Sequence, residues 1–241
     1  MRNYKNEFDM RVAWIKGLVA DSGSRGIVFG NSGGKDSALV GLLCKAACEN
    51  TVGLIMPCGS RRNYGEDADH ARLLADFCHI ESRLVDLSET REQLKAQLEK
   101  AAVLNQQAIT NIAPRLRMTS LYAVAAAEGL LVAGTGNRSE IYMGYFTKWG
   151  DGGCDFNPIA DLTATEVFEF LAFLGAPREI IDKAPSAGLY EGQTDEQDMG
   201  VSYAAIDRYI TTGEASAEDK AIIDRYHAVS VHKRRPYSSY K

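Results

Sequence analysis

A short segment rich in glycine and serine carries the residues best suited to binding phosphate. It reads Gly30, Asn31, Ser32, Gly33, Gly34, Lys35, Asp36 and Ser37. Glycines let backbone amides approach an anion closely, two serine hydroxyls can donate hydrogen bonds, and the lysine adds a cation. An ordinary strand-to-helix turn uses similar residues, but this density of glycine just before a helical pattern favours a phosphate-binding loop.

Asp36 separates this loop from two better-known phosphate motifs. The pattern G-x-x-x-x-G-K-[ST] requires Ser or Thr where Asp36 follows the lysine, and G-x-G-x-x-G does not occur. A carboxylate beside phosphates repels them unless a divalent cation lies between the two. We therefore predict that Asp36 is a Mg²⁺ ligand. The alternative is an acidic residue near a helix N-terminus with no ligand.

The elements around the loop alternate in type. Residue spacing and turn signals predict strands at 26–29, 51–56, 82–85 and 130–133, and helices at 8–19, from 37 onward, and at 66–77, 91–104 and 115–128. Such alternation predicts an α/β fold, a doubly wound parallel sheet with helices on both faces, in one domain spanning residues 1–241. Ligands would bind beyond the carboxyl ends of the strands.

After residue 160 the pattern becomes helical. Thr163 and Glu166 form a capping-box signature, and Gly175 and Pro177 end that helix. Residues 184–200 are predicted to be a long loop, and helices are expected at 201–210 and 216–231.

Composition excludes several classes of protein. A net charge of -5 over 241 residues argues against a protein whose whole surface binds nucleic acid. The five cysteines include no C-x-x-C pair, which is typical of reduced thiols rather than a disulfide framework or zinc site. No signal peptide or membrane-spanning stretch is visible, so we expect a soluble cytoplasmic protein without a membrane partner.

The loop sequence S-G-G-K-D-S resembles the S-G-G-x-D-S signature of the N-type ATP pyrophosphatases. Three further segments narrow the resemblance to the NAD synthetases: N-I-A-P-R-L-R-M at 111–118, the stretch 134–158 that contains G-Y-F-T-K-W-G-D, and K-A-P-S-A at 183–187. Q-T-D-E at 193–196 and H-K-R at 232–234 complete it. The resemblance covers essentially the whole chain and is closest to the short, single-domain form, with a Rossmann-like, adenine nucleotide alpha hydrolase-like fold.

This resemblance implies that ATP adenylates the nicotinate carboxylate of deamido-NAD and that ammonia then displaces AMP. It implies Mg²⁺ on Asp36 and Glu140, ATP contacts by the phosphate loop together with Thr135 and Ser186, and catalytic roles for Asp36 and Asp155, the latter helping to take a proton from ammonium. Deamido-NAD would contact Arg115, Lys148, Asp155, His232 and Lys233. By itself, Glu140 would be an exposed helix carboxylate and the run 232–235 a solvated tail.

The resemblance also implies a homodimer that binds deamido-NAD near the subunit interface, where the final helices and tail could reach a neighbour. Ammonia rather than glutamine is the expected nitrogen donor, because residues 1–25 ahead of the first strand are too short to form an amidohydrolase domain.

One position departs from the family pattern. A lysine that contacts ATP phosphate usually follows D-x-x-P in an L-x-K context, and this chain has Ala164 there. We predict that Lys35 compensates by delivering its charge from the phosphate loop; the alternative is that it points to solvent. Another amide-forming or tRNA-modifying pyrophosphatase and a non-catalytic nucleotide-binding relative are the rival interpretations.

Overall fold

The computed structural model describes residues 2–59, 65–181 and 194–240. Its strands are β1 (Gly26–Gly30), β2 (Thr51–Ile55), β3 (Glu81–Leu84) and β4 (Leu130–Ala133). In chain order the helices are α1 (Tyr4–Ser22), α2 (Lys35–Ala47), α3 (Glu66–Cys78), α4 (Ser88–Leu98), α5 (Gln106–Thr110), α6 (Ile112–Glu128), α7 (Arg138–Met143), α8 (Ala164–Phe173), α9 (Arg178–Ile181), α10 (Asp195–Met199), α11 (Tyr203–Thr212), α12 (Ala217–Val229) and α13 (Val231–Arg234).

The four strands form one parallel sheet in the order β3-β2-β1-β4. The chain builds outward from β1 through β2 to β3 and then returns to add β4 on the other side of β1. The direction of winding therefore reverses between β1 and β4. In open parallel sheets such a reversal opens a crevice at the carboxyl ends of the strands, where ligands bind.

Helices cover both faces of the sheet, as predicted. Side chains of β1 alternate between the faces: Ile27 and Phe29 pack in one cluster with α1, α2 and α8, and Val28 packs in another with Leu121 and Ala125 of α6. A third cluster joins α7, α8, α10, α11 and α12 into a helical layer beside the crevice.

The predicted strands and the long helices are confirmed, with shifts at their ends. The helix expected at 91–104 instead runs over Ser88–Leu98, and Asn105 caps a separate short helix, α5, with its side chain on Ala108 N. The predicted loop at 184–200 is wrong for its final part, where α10 forms, and residues 184–193 lie outside the described residues. The short helix α7 was not predicted.

Within the described ranges, no helix is both long enough and apolar enough to cross a bilayer.

Candidate active site

The loop between β1 and α2 is shaped by its own side chains. Asn31 is buried, donates from Nδ2 to Ala71 O at 2.8 Å and accepts from Gly33 N at 3.2 Å. Gly33 has φ 69°, a left-handed conformation that glycine adopts without strain. Ser37 donates to Gly34 O at 2.9 Å, and the Ser32 and Ser37 hydroxyls lie 3.1 Å apart. These contacts give the loop a fixed shape before any ligand binds.

Asn137 links the two acidic side chains expected to hold the metal. Its Nδ2 donates to Asp36 Oδ1 at 3.0 Å, and its backbone N–H donates to Glu140 Oε2 at 3.0 Å within a capping box at the start of α7. Desolvation in the cavity, reinforced by the charge of Asp36, raises the pKa of Glu140 well above its usual value. Uncompensated negative charge of this kind is what a cation would relieve.

The carboxylates of Asp36 and Glu140 suit a metal ion whose other ligands are substrate phosphates and water. Among the residues that the structure describes, no group of three His, Cys, Asp or Glu side chains is arranged to hold a metal alone. Mg²⁺ is typically bound through one or two carboxylates together with substrate phosphates and water. Asp36 and Glu140 beside the phosphate loop match that pattern.

A cavity of about 630 Å³ extends from this loop across the crevice. Its walls include Thr135 after β4, the end of β2 at 54–57, the start of α6, and the C-terminal residues His232 and Lys233. A volume of this size is typical of sites for drug-sized ligands. The cavity therefore joins the predicted phosphate site to two of the predicted substrate residues, His232 and Lys233, whereas Arg115 and Lys148 do not line it.

Comparison with known proteins identifies the family. The family model described as NAD synthase matches residues 7–241. Over 236 residues the chain is 47% identical to the NH(3)-dependent NAD(+) synthetase of Carboxydothermus hydrogenoformans, covering 97% of this chain and 96% of that protein. This chain belongs to the NAD synthase family. The family's reaction is the ATP-dependent amidation of deamido-NAD, so the chain is a carbon–nitrogen ligase of NAD biosynthesis.

Two solved structures show how closely the fold is shared. The NMN synthetase from Francisella tularensis is 34% identical, with a TM-score of 0.93 and coverage of 100% of this chain and 99% of that one. The NAD+ synthetase from Burkholderia pseudomallei is 28% identical, with a TM-score of 0.80 and coverage of 97% and 91%. The predicted α/β fold is confirmed, and the family match decides against the other ATP pyrophosphatases.

Within this NAD synthase fold, three predicted substrate residues lie in one chain of contacts, and a fourth, Lys233, is next in sequence to the last of them. Arg115 donates to Lys148 O at 3.3–3.4 Å, and Lys148 Nζ donates to His232 O at 2.8 Å. Lys233 Nζ donates to Gly144 O at 2.8 Å and to Phe146 O at 2.6 Å. The C-terminal residues 232–233, which alone would be a solvated tail, are thus anchored at the cavity wall.

Asp155 lies apart from that group. Its Oδ2 accepts from Val132 N at 2.8 Å and its Oδ1 accepts from the Tyr122 hydroxyl at 3.0 Å. It is exposed and does not line the cavity, whereas Asp151 and Asp195 do. Its predicted roles in proton transfer and substrate binding stay predictions. Ser186, the other predicted ATP contact besides the loop and Thr135, lies outside the described residues.

Lys35 is buried rather than pointing to solvent. Its side chain is 3% exposed, its Nζ lies 2.5 Å from Asp36 Oδ2, and the rings of Phe168 and Tyr203 flank it at 5.5 and 5.4 Å. Burial disfavours the charge, but Asp36 and Glu140 outweigh it and raise the pKa of Lys35. The alternative of a solvated Lys35 is therefore wrong, although its contact with phosphate stays a prediction.

Ala164 is fully buried at the first position of α8. Its N–H donates to Ser139 Oγ at 3.0 Å, and its methyl group packs in the cluster that contains Tyr203. Tyr203 belongs to the same cluster as Ala164, and its ring centroid lies 5.4 Å from the ammonium group of Lys35.

Sequence reasoning missed Asn137, the residue that links the two carboxylates. The spacing of Asn137 and Glu140 is a capping-box signature and could have placed a helix there. Nothing in the sequence indicates that the same amide also reaches Asp36, because that contact depends on β1 and β4 being neighbours.

Proposed function

We propose that this chain binds the triphosphate of ATP on the loop 30–37 and holds Mg²⁺ between that triphosphate and the carboxylates of Asp36 and Glu140. The observation that carries the proposal is the contact of Asn137 with both side chains next to the loop. Two carboxylates beside phosphates are unfavourable without a divalent cation. The proposed ATP contacts also include Thr135, on the cavity wall, and Ser186.

The reaction proceeds in two steps. A carboxylate oxygen of the substrate's nicotinate attacks the α-phosphorus of ATP, the bond to the β-phosphate oxygen breaks, and pyrophosphate leaves. Ammonia nitrogen then attacks the adenylate's carbonyl carbon, the bond to the AMP oxygen breaks, and one proton is lost. Mg²⁺, when bound, neutralises charge that develops on pyrophosphate. The rigid loop aligns the phosphates, which limits the reorganisation needed during transfer.

The opposite end of the cavity suits the rest of the substrate. Deamido-NAD carries two backbone phosphates. His232 and Lys233 line the cavity, and hydrogen bonds join Arg115 to Lys148 and Lys148 to His232. Charge-assisted hydrogen bonds to phosphate are roughly twice as strong as neutral ones. These residues are the proposed deamido-NAD contacts.

The position of Asp155 supports a homodimer as the working unit. Asp155 lies against Tyr122, which is 39% exposed on the outward face of α6. That face also presents exposed Ala123, Ala126 and Ala127, and the neighbouring α4 has no buried residue at all. In a two-fold dimer through α6, one substrate at the interface would meet Arg115 and Lys148 of one subunit and Asp155 of the partner subunit.

The nitrogen donor and the compartment complete the proposal. The curated relative from Carboxydothermus hydrogenoformans is named for ammonia, and ammonia is the proposed nucleophile here. The cytoplasm supplies both ATP and reducing conditions, and all five cysteines are unpaired.

A second candidate substrate comes from the similarity in structure. The Francisella tularensis protein with a TM-score of 0.93 is an NMN synthetase, and its product is an amidated mononucleotide. The same two-step chemistry on nicotinate mononucleotide would need the phosphate loop and the metal carboxylates but less of the cationic end of the cavity.

One assay separates the two candidates. Purified protein is given ATP, Mg²⁺ and ammonium with either deamido-NAD or nicotinate mononucleotide, and NAD, NMN and AMP are measured by chromatography. We expect NAD and AMP in equal amounts and a higher kcat/KM for deamido-NAD. A higher kcat/KM for the mononucleotide would favour the second candidate, and no amide from either substrate would refute both. Replacing ammonium by glutamine should abolish product formation.

A further inference from the structure

Trp149, two residues after Thr147 of the cavity wall, has an unusual backbone conformation. Its φ is 63°, and its side chain is 63% exposed. A left-handed backbone is disfavoured for a bulky residue and persists where the surroundings impose it, which is commonest at functional sites. His79 is the other non-glycine residue with positive φ in the described part of the chain, and it ends helix α3, which accounts for its conformation. Trp149 ends no helix.

The loop around Trp149 is held on both sides. Thr147 O accepts from Gly150 N at 2.9 Å and from Gly152 N at 3.1 Å, and Thr147 N donates to Asp151 Oδ1 at 3.0 Å. A Cβ atom on Gly150 would lie only 3.1 Å from Pro114 at the start of α6. The turn is therefore packed tightly against α6, and its geometry presents the Trp149 ring at the surface.

The ring lies among the basic residues already proposed to bind substrate. Lys148 Nζ is 5.4 Å from the Trp149 ring centroid and donates to His232 O, while Arg115 donates to Lys148 O. Thr147 and His232 line the cavity. An exposed aromatic face thus lies next in the chain to the cavity residue Thr147 and beside Lys148, which bonds to the cavity residue His232.

We propose that Trp149 is the stacking platform for the purine base at the far end of the dinucleotide substrate. This inference rests on the proposed function, because it requires the nicotinate end to lie at the phosphate loop and the diphosphate among the basic residues. Indole faces stack well on bases, and truncating such a platform weakens binding by roughly five- to 150-fold per base. Trp149 would then select a dinucleotide over a mononucleotide, which has no second base.

The test uses substitutions that the backbone tolerates. Trp149→Gly removes the ring and suits a positive φ, so folding is preserved, and Trp149→Phe retains an aromatic face. Initial rates are measured with deamido-NAD and with nicotinate mononucleotide. For Trp149→Gly we expect about a tenfold higher KM for deamido-NAD, with unchanged kcat, unchanged KM for ATP and unchanged KM for the mononucleotide. Trp149→Phe should retain most of the wild-type affinity.

An equilibrium measurement reads the contact directly. The chain has two tryptophans, so Trp14→Phe leaves Trp149 as the sole indole. Deamido-NAD added without ATP should quench its fluorescence at concentrations where the mononucleotide does not. Equal effects on both substrates, no quenching, or wild-type use of the mononucleotide alone would overturn the stacking role. So would dissociation of a dimer on Trp149→Gly, since the ring would then belong to the subunit interface.

The two proposals fail in distinguishable ways. A wild-type protein that amidates neither substrate refutes the proposed function, whereas an active wild type whose Trp149→Gly variant keeps the same KM for deamido-NAD refutes only the stacking role.

Discussion

At the scale of single residues, the centre of the site is an amide between two carboxylates. Asn137 is fully buried and contacts Asp36 and Glu140, while Lys35 pairs with Asp36 from below the loop. The carboxylates of Asp36 and Glu140 face one buried lysine, so their negative charge is not fully compensated without a ligand. Under the proposed function, a phosphate–metal complex would supply the missing cation.

The metal assignment predicts a large loss of activity from small changes. Asp36→Asn and Glu140→Gln keep the side-chain size but remove the charge, so turnover should fall by roughly a hundredfold or more while the melting temperature changes little. Steady-state rates at saturating ATP with a Mg²⁺ titration provide the measurement. Glu99→Gln, on the surface after α4, is the matched control. Near-normal NAD formation by either site variant would refute its assignment.

The predicted compensation by Lys35 for the missing lysine at position 164 can be tested by substitution. Lys35→Gln should raise the ATP requirement about tenfold or more, since a charge-assisted hydrogen bond contributes ~1.5–3 kcal/mol. Ala164→Lys should partly restore it, because it returns a lysine to the position where the family pattern has one. ATP titrations of the wild type, both single variants and the double variant make a double-mutant cycle. No effect of Lys35→Gln, or simple additivity, would contradict the compensation.

At the scale of elements, α1 and the residues just before it hold the segment between α7 and α8. Arg11 pairs with Asp161 at 2.7 Å, and Arg2 pairs with Asp161 at 2.9 Å and with Glu166 of α8 at 2.7 Å. In the same loop Asn157 donates to Gly136 O at 2.8 Å, beside Thr135. The opening helix, far from the chemistry in sequence, therefore steadies one wall of the cavity.

This clamp gives a stability that depends on pH. Burial would raise the pKa of Asp161, but Arg11 and Arg2 outweigh it and hold that pKa below its usual value of 3.8. The stabilisation is therefore present above about pH 3.8 and is lost as pH falls further through the folded-state pKa. Asp161→Asn should lower the free energy of unfolding at pH 7 by on the order of 1 kcal/mol, since the carboxylate is half exposed. It should also weaken the dependence below pH 3.8.

Urea unfolding of the wild type and of Asp161→Asn, at pH 7 and across the acid range, measures that effect. Asp9→Asn is the matched control, because its pair with Lys5 is largely exposed. Equal stability of the Asp161→Asn and Asp9→Asn variants at pH 7 would contradict a stabilising role for the ion pairs of Asp161 with Arg2 and Arg11.

What the sequence could predict followed from local signals. The strands and long helices carry clear periodicity, and the capping box of Thr163 and Glu166 marked the start of α8 correctly. The burial of Lys35 was not predictable, because it depends on rings that α8 and α11 bring to the loop. The left-handed backbone conformation of Trp149 was not predictable either, because nothing in the sequence signals a positive φ at a tryptophan.

At the scale of the whole molecule, the proposed dimer would bring Asp155 of one subunit to the substrate of the other. Arg115 lies on the outward side of α6. Asp155 lies on the same side, where it accepts a hydrogen bond from the Tyr122 hydroxyl of that helix. An exposed stripe formed by Tyr122, Ala123, Ala126 and Ala127 follows Arg115 along this helix. A second copy packed on that stripe would bury it and complete the substrate site.

The dimer is tested by one substitution in the stripe. Tyr122→Glu places a charge at the proposed interface and should convert a dimer to a monomer in light scattering, with NAD formation reduced at least about tenfold. Val103→Glu, at a fully exposed position, is the control and should remain dimeric. A wild-type protein that is monomeric and fully active would end this proposal.

The most direct test of the central claim follows the oxygen atoms of the substrate. The substrate is deamido-NAD labelled with ¹⁸O in both nicotinate carboxylate oxygens. It is incubated with the protein, ATP, Mg²⁺ and ammonium, and the masses of the products are measured by mass spectrometry. Adenylation at the α-phosphorus predicts one labelled oxygen in AMP and one in the amide of NAD. Unlabelled AMP, or label in pyrophosphate or phosphate, would contradict the account.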